Sequence, residues 1–224
     1  PVTVFGSGVR NAYDLVWHSN GRLYVPTNGS AAGGNTPGSP SGVTPSVPPM
    51  VNVGTQNDFL FTVTAGGYYG HPNPLLGNYA LNGANPTSSV DRAEVVDQVV
   101  NGQVVYNGYP VGISVDPDYR FFAWDFSRNR SPNGVIEYKS ATFGGILQNK
   151  ILVVEYSGGD RILVLTPDSS GNIVSAEVLG VAGGLANPLD LIEDPSNGNI
   201  YVAELVSFTS TGATSSISVL KPEN

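Results

Sequence analysis

Short apolar runs with a period of two are the feature that most constrains the fold of this chain. The runs are rich in β-branched and aromatic residues and are bounded by Gly, Asn, Asp or Pro, as in GRLYVPTNG, DFLFTVTAG and NKILVVEYSG. No stretch keeps apolar residues at helical spacing over three turns, although SVDRAEVVDQVV (89–100) comes closest and could form one short helix. The sequence therefore predicts an all-β fold.

Strand-turn-strand units recur along the chain. DLVWHSNGRLYV (14–25), GISVDPDYRFFA (112–123) and DLIEDPSNGNIYV (190–202) each combine a few apolar residues, a polar turn and a strand that ends in aromatic and small residues. TPDSSGNIVSAEVL (166–179) predicts a hairpin around a polar turn. Units that recur between other strands are typical of β-propeller blades. We therefore expect a β-propeller portion of about three to four blades of antiparallel four-stranded sheets.

Three or four blades are too few to close a ring, because each blade buries its faces against two neighbours. The sequence thus predicts that the missing blades come from upstream sequence or from another chain. The chain begins at Pro1 without a Met, which is typical of a processed product or a piece of something longer. Without an upstream half, two terminal blade faces would expose apolar surface, and we expect such a chain to self-associate.

We expect residues 1–224 to form a single propeller portion with one inserted loop. The tract GSAAGGNTPGSPSGVTPSVPP (29–49) has too much Gly and Pro to pack a core, and strand pattern continues on both of its sides. Insertion within a blade is therefore favoured over a domain boundary.

Composition excludes several function classes. A net charge of -8 with only 10 basic residues argues against nucleic acid as a partner, and no apolar run approaches the ~18 residues needed to insert into a membrane. The absence of cysteine excludes thiol nucleophiles, disulfides and zinc-thiolate sites. Low charge with abundant Ser, Thr, Asn and Gly suits an extracellular or periplasmic protein.

Several stretches, in order, resemble the soluble quinoprotein glucose dehydrogenase and glucose/sorbosone dehydrogenase family. They are GVRNAYDLVWHSNGRLYVPTNGS (8–30), then Asp58, then GGYYGHPNP (66–74). SPNGVIEYKSATFGGILQNKILVVEYSGGDRILVL (131–165) is similar to the next blade of that family, and NPLDLIEDPSNGNIYVAEL (187–205) to its last blade. The family consists of six-bladed propellers that oxidise sugars with pyrroloquinoline quinone (PQQ) and calcium. The resemblance implies the C-terminal half of such a ring.

Candidate site residues follow from that resemblance. Asn11, next to Arg10, matches an asparagine that hydrogen-bonds the quinone, while Tyr69 keeps the family's corner and His71 replaces its Trp. The candidate cofactor-binding residues are therefore Arg10, Asn11, Tyr69 and His71. Gly29 and Ser30 match the pair whose backbone carbonyls hold calcium, and Asp58 matches an aspartate of a second calcium site, so these three are the candidate metal ligands.

Other parts of the family's machinery are not matched. Ser157, Asn187 and Leu189 stand where the family clamps the quinone with one lysine and two arginines. Each lost charge-assisted bond removes about 1.5–3 kcal/mol of binding energy, so we expect PQQ to bind weakly. Calcium remains a possible cofactor, because its predicted ligands include backbone carbonyls. The family's general base belongs to its N-terminal half, so no catalytic residue is assigned here.

Two functions stay open at this stage. The chain is either a propeller relative without its cofactor, acting in carbohydrate binding or assembly, or a portion of an active PQQ- and calcium-dependent sugar dehydrogenase. The expected ligand at the channel mouth is a carbohydrate or another small molecule. Two local alternatives accompany these functions: His71 is a site residue or a surface turn histidine, and Tyr68, Tyr69 and Trp124 stack on sugars or pack between strands.

Overall fold

The computed structural model describes most of the chain and divides it into two compact units. The described residues are 1–30, 34–44, 49–53, 55–71, 73, 78, 96–100, 103–107, 117–209 and 212–222. The first unit contains Pro1–Asn11, Gly29–Asn57 and Thr64–Phe122, and the second contains Ala12–Asn28, Asp58–Val63 and Ala123–Asn224. That the whole chain is a single propeller portion stays a prediction.

Almost all regular structure in the described residues is β-strand, so the predicted all-β fold class is confirmed. One 3₁₀ turn, Phe143–Gly145, is the exception. None of the described segments forms a helix long and apolar enough to cross a membrane. The strands, in chain order, are β1 Gly6–Ser7, β2 Asn11–Ala12, β3 Val16–Trp17, β4 Leu23–Asn28, β5 Gly34–Thr36, β6 Met50–Val53, β7 Asn57–Val63, β8 Gly67–Tyr68, β9 Val96–Val100, β10 Gln103–Asn107, β11 Trp124–Arg128, β12 Pro132–Tyr138, β13 Lys150–Glu155, β14 Arg161–Pro167, β15 Ile173–Val178, β16 Pro188–Glu193, β17 Ile200–Thr209 and β18 Gly212–Leu220.

The first unit consists of short two-stranded pairings. β1 runs parallel to β8, and β5–β6 and β9–β10 form antiparallel ribbons. The possible helix over 89–100 is a strand where it is described, at Val96–Val100, while 89–95 lie outside the described residues. β-Branched valines favour this extended conformation.

The second unit contains three larger sheets. The first has the strand order β11-β7-β4-β2, with β3 also paired to β4; the second is the antiparallel meander β12-β13-β14-β15, and the third is β16-β17-β18. The predicted hairpin over 166–179 is confirmed as the β14–β15 pair. β4 and β7 pair directly, so the 29–49 tract connects neighbouring strands of one sheet, and it contributes β5 to a ribbon.

The predicted repeat is confirmed at both of its ends, whereas residues 112–116 of its middle copy lie outside the described residues. Segments 14–25 and 190–202 both fall on strand-turn-strand pairs, β3–β4 and β16–β17. The described part of 112–123 instead forms a turn and a parallel bridge from Tyr119 to Tyr68. The sequence YRFFA in the second half of this segment is typical of a strand, yet it forms only this bridge. Long-range contacts override its local strand propensity.

The middle sheet of the second unit is buried on both faces. Ile151 and Val153 of β13 pack with Tyr24, Leu60 and Phe126 of the first sheet. The alternate residues of β13, which point the other way, pack with the third sheet in a second cluster: Leu152, Val154, Leu191, Ile200 and Val202. Successive sheets thus stack face to face, as blades do.

A buried polar network orders the turn at the start of the first sheet. His18 is 3% exposed; its Nδ1 accepts the Asn20 N–H at 3.0 Å, and its Nε2 lies 3.2 Å from the carbonyl oxygen of Asn149. Because Nδ1 is an acceptor, the proton resides on Nε2, which also lies 3.5 Å from Glu137 Oε1. His18 therefore has a structural role.

Candidate functional site

The GGYYGH segment, residues 66–71, forms a tight corner in the first unit. Gly66 has a φ of 74°, a conformation that L side chains rarely adopt, so the strand can turn there. Its backbone then runs beside the N-terminal segment, with the N–H groups of Tyr69 and His71 donating to the carbonyls of Ser7 and Gly8 at 2.9 and 2.7 Å. The corner is therefore held to the chain segment that carries Arg10 and Asn11.

The two tyrosines of the corner are packing residues. Tyr68 and Tyr69 are each 2% exposed, and the Tyr69 hydroxyl accepts the Thr64 N–H at 2.7 Å. Trp124, in the second unit, is half-buried and packs against its core. Buried rings cannot offer a stacking face, so the sugar-stacking alternative for Tyr68 and Tyr69 is wrong. The prediction that Tyr69 contributes to cofactor binding is not tested.

Arg10 contacts the first carbonyl predicted to hold calcium. Its Nη1 donates to the Gly29 carbonyl oxygen at 2.8 Å. Gly29 is required here, because a Cβ at this position would lie 2.3 Å from the carbonyl oxygen of Asn57. A protein cation therefore occupies the oxygen at which the resemblance places a metal ion.

Ser30, the second predicted metal-binding carbonyl, is engaged by Gln56. The Ser30 carbonyl accepts the Gln56 N–H at 2.9 Å, and the Gln56 side-chain oxygen accepts the Ser30 N–H at 3.2 Å. Both residues are buried, at 9% and 7% exposure. This reciprocal pair satisfies the local backbone without a metal ion.

His71 and Asn11 accompany Arg10 at the corner. His71 is half-buried, and the pKa of its imidazole is lowered, first by burial and then by the positive charge of Arg10. A lowered pKa means that the ring is neutral at neutral pH, because histidine loses its proton above its pKa. Arg10 and Asn11 are exposed. The corner therefore presents guanidinium, amide and neutral imidazole groups to solvent.

Asp58, the third predicted metal ligand, belongs to the second unit. Its Oδ2 accepts the N–H groups of Arg130 and Ser131 at 2.7 and 3.0 Å, and the residue is 4% exposed. The carboxylate thus fixes the backbone between β11 and β12, where Ser131 has a φ of 46°.

The three positions of the family's cationic clamp also lie in the second unit. The Ser157 N–H donates to the Arg130 carbonyl at 3.1 Å, and the Asn187 N–H donates to Asp160 Oδ1 at 2.9 Å. A carboxylate therefore contacts one clamp position directly. The Arg130 side chain contacts the Gly158 carbonyl through Nη1 and brings a cation next to Ser157.

Two aspartates of the second unit, Asp14 just before β3 and Asp190 in β16, were not recognised as site candidates from the sequence. Asp14 Oδ2 accepts the Val135 N–H at 3.0 Å, and Asp190 Oδ1 accepts the Leu191 N–H at 2.8 Å. The pKa of Asp190 is raised, chiefly by burial and also by the charge of Asp14. The signal was present, since both aspartates open the repeated DLV/DLI segments at 14–25 and 190–202.

The arrangement does not fit calcium as the resemblance places it. Within the described residues, no group of three or more His, Cys, Asp or Glu could hold a metal ion. The Gly29 carbonyl accepts a guanidinium N–H, the Ser30 carbonyl accepts one backbone N–H, and the Asp58 carboxylate accepts two backbone N–H groups. A calcium ion at the Gly29 carbonyl would have to displace the Arg10 guanidinium, because two positive charges that contact the same oxygen repel each other.

Comparison with known proteins yields structural likeness without sequence likeness. No family model matches the chain, and no curated protein does. Two solved structures of glucose dehydrogenase are similar, each with a TM-score of 0.53; the sequence identities are 14% and 15%, and each covers 89% of this chain. The fold is that of a partial β-propeller. The chain spans 42% and 43% of those two glucose dehydrogenases, respectively, and identities this low establish the fold alone.

A third solved structure is the holo form of the pyranose dehydrogenase PQQ domain from Coprinopsis cinerea. It covers 95% of this chain and 54% of its own, with 11% identity and a TM-score of 0.46. Its likeness is weaker than that of the two glucose dehydrogenases, so the structural relationship rests on those two.

Proposed function

We propose that this chain is a propeller relative of the PQQ sugar dehydrogenases that binds carbohydrate and takes part in assembly, and that it has lost the calcium and quinone site. The hydrogen bond from Arg10 to the Gly29 carbonyl carries the proposal. The positively charged Arg10 side chain contacts the Gly29 carbonyl, where the family binds calcium. The corner therefore keeps a positive charge without a metal ion.

The exposed groups at the corner suit a polyhydroxylated ligand. Arg10 uses one of its five N–H donors on Gly29, and its fork can bind adjacent hydroxyl groups with the others. The neutral imidazole of His71 can both donate and accept, and the Asn11 amide adds a second group of this kind. These groups bind sugar hydroxyls without requiring that the ligand be charged.

The clamp positions support loss of the quinone site. PQQ carries three carboxylates and is therefore an anion. At Asn187, where the family has a cation, the neighbouring group is the Asp160 carboxylate. An anion next to an anionic ligand opposes binding, because like charges repel. We propose on this ground that the chain is not an oxidoreductase by itself. Its low charge and abundant Ser, Thr, Asn and Gly support an extracellular or periplasmic setting.

One observation favours the second candidate, a portion of an active quinoprotein sugar dehydrogenase. Arg130 reaches Gly158 from the β11–β12 connection and places a cation next to the Ser157 position. In a longer polypeptide, further cations and the general base could come from other blades. Saturable quinone binding by this chain would favour this candidate.

Quinone binding is the first test. We expect no saturable binding of PQQ to the wild-type chain in calcium buffer, measured by calorimetry together with an aldose/dye assay. Ser157→Lys restores one clamp cation and should tighten quinone binding at least tenfold, the equivalent of one charge-assisted bond of about 1.5 kcal/mol. Ser169→Lys, on the exposed turn after β14, adds the same charge away from the clamp and should have no effect. Tight wild-type binding would overturn the proposal.

Sugar binding is the second test. We expect chemical shifts in NMR titrations with aldoses and oligosaccharides to localise to Arg10, Asn11 and His71. Arg10→Ala should weaken binding about tenfold or more, because a hydrogen bond from a charged group is lost. Arg128→Ala removes an exposed arginine elsewhere and serves as the matched control. Equal loss of affinity in both variants would show that net charge, rather than the corner, attracts the ligand.

A further inference from the structure

Arg10 carries a positive charge that its surroundings leave uncompensated. Within the part of the chain that the structure describes, its guanidinium donates one hydrogen bond, to the Gly29 carbonyl oxygen at 2.8 Å, and pairs with no carboxylate. A neutral carbonyl uses one of the five N–H donors of an arginine and leaves the charge in place. The residue is exposed, so a ligand can reach the other donors.

Neighbouring charged groups of the same unit do not supply the missing negative charge. Asp118 and Arg120, on the segment that pairs with Tyr68, lie 4.0 Å from each other, and Arg120 also donates to two backbone carbonyls of its own segment. The charge that acts on the pKa of His71 is that of Arg10, which adds to the effect of burial and lowers the pKa further. A nearby carboxylate would raise this pKa, because it favours the protonated ring. The corner thus combines one cation with neutral groups.

The hydrogen bond to Gly29 holds the guanidinium in one place. An exposed arginine without such a bond samples many rotamers, and ordering them on binding opposes affinity. The Gly29 backbone is itself closely packed, since a Cβ there would lie 2.3 Å from the carbonyl oxygen of Asn57. With Nη1 of Arg10 on this carbonyl, the Nε–H and Nη2–H bonds on the other edge of the guanidinium are parallel. Two parallel N–H groups match the two oxygens of one carboxylate.

We infer that the corner binds an acidic sugar, a uronic acid whose carboxylate pairs with Arg10 and whose hydroxyl groups contact Asn11 and His71. The inference deepens the carbohydrate binding of the proposed function and rests on it. Hydroxyl groups alone would leave the charge of Arg10 unpaired, whereas a carboxylate compensates it. Hydrogen bonds between charged partners are also about twice as strong as neutral ones, so the carboxylate contributes more than a hydroxyl group at the same place.

Charge matching favours a carboxylate over other anionic groups. One arginine carries a single positive charge, which a carboxylate balances, whereas a phosphate ester carries about two negative charges at neutral pH. The chain as a whole has a net charge of -8 and repels anions. Binding of an acidic sugar therefore requires local recognition and does not follow from the overall charge.

Glucose and glucuronate are matched probes, because they differ in one group, a hydroxymethyl in glucose and a carboxylate in glucuronate. NMR titration of the 224-residue chain at neutral pH and low salt should show that glucuronate binds about tenfold more tightly than glucose. The preference should shrink at high salt, because ions screen exposed charges. Acetate, a carboxylate without a sugar ring, should bind more weakly than glucuronate. Equal affinities for glucose and glucuronate, equal affinities for acetate and glucuronate, or tighter binding of glucose 6-phosphate would each overturn the inference.

Two variants assign the preference to Arg10. Arg10→Gln keeps an N–H donor without the charge and should lower the affinity for glucuronate about tenfold more than the affinity for glucose. Arg120→Ala is the matched control from the same unit, because its charge is already paired with Asp118, and it should leave both affinities unchanged. Circular dichroism checks that each variant is folded. An Arg10→Gln variant that still prefers glucuronate would contradict the inference.

The imidazole of His71 provides a readout that is independent of affinity. Arg10 lowers the pKa of His71, so a carboxylate bound to Arg10 should raise that pKa, whereas glucose should not. By linkage, glucuronate should bind more tightly as the pH falls through this pKa. NMR titration of the His71 signal with pH, with and without saturating ligand, measures the change, and His71→Gln identifies the signal. An unchanged pKa in the glucuronate complex would overturn the inference. If glucose binds as well as glucuronate, this inference alone fails; if no sugar binds, the proposed function fails with it.

Discussion

Leu152→Ala should lower the free energy of unfolding by about 2–5 kcal/mol. Leu152 is fully buried and lies in the cluster between the second and third sheets of the second unit. The truncation removes the transfer energy of the lost methyl groups and leaves a cavity between two sheets that are held by their strand pairing. Because the sheets cannot easily collapse around the cavity, we expect a cost in the upper half of that range.

Chemical denaturation followed by tryptophan fluorescence or circular dichroism measures this effect. Val174→Ala, on the exposed side of β15, is the control and should change the free energy of unfolding by no more than about 0.5 kcal/mol. The midpoint should fall with an unchanged m-value, because the surface exposed on unfolding stays the same. A cost for Leu152→Ala as small as that of Val174→Ala would mean that the two sheets do not pack as the structure has them.

The sequence indicates that the middle sheet of the second unit is buried on both faces, but it does not indicate which sheets cover those faces. ILVV in β13 and ILVL in β14 are continuous apolar runs, which indicate strands covered on both faces. Strand existence and the β14–β15 hairpin follow from local patterns of this kind. Which sheets provide the cover depends on contacts far apart in sequence, such as those of Tyr24 and Phe126 with Ile151, and local patterns carry no information about them.

Part of the candidate site can likewise be predicted from local sequence, and part of it cannot. The bend at Gly66, with its φ of 74°, is of the kind that local sequence can predict, because glycine tolerates this conformation. The bond between Arg10 and Gly29 could not be predicted, because it depends on where a flexible side chain ends across 19 residues of sequence. Alignment to a family motif identified Gly29 and Ser30 as metal ligands from their positions, and position alone does not show that Arg10 and Gln56 already contact those carbonyls.

Arg161→Ala should lower the free energy of unfolding by about 3–5 kcal/mol, because it leaves the buried Glu155 carboxylate uncompensated. Glu155 is 0% exposed and directly faces Arg161 across the β13–β14 pair; Arg161 Nε lies 2.5 Å from Glu155 Oε2. The Arg161 side chain is 33% exposed, so the truncated site admits some water, and we expect a cost in the lower half of that range.

Lys139→Ala is the matched control, since it also removes a cation next to a buried glutamate. Lys139 Nζ lies 3.8 Å from Glu137 Oε2, and its side chain is 71% exposed. Because the lysine lies mostly in water, this pair contributes about 0–1 kcal/mol, and Glu137 keeps the Ser19 N–H as a partner at 3.0 Å. We therefore expect the lysine truncation to be nearly neutral and the arginine truncation to be severe.

Adding Glu155→Gln to Arg161→Ala separates the loss of a pair from the burial of a lone charge. A neutral amide costs far less to bury than a carboxylate, so the double variant should recover a substantial part of the stability lost in Arg161→Ala. The recovery should persist in 1 M salt, because ions screen buried charges much less than exposed ones. If the double variant is as unstable as the sum of the two single variants, Arg161 stabilises the hairpin through packing of its stem, and the ion pair contributes little.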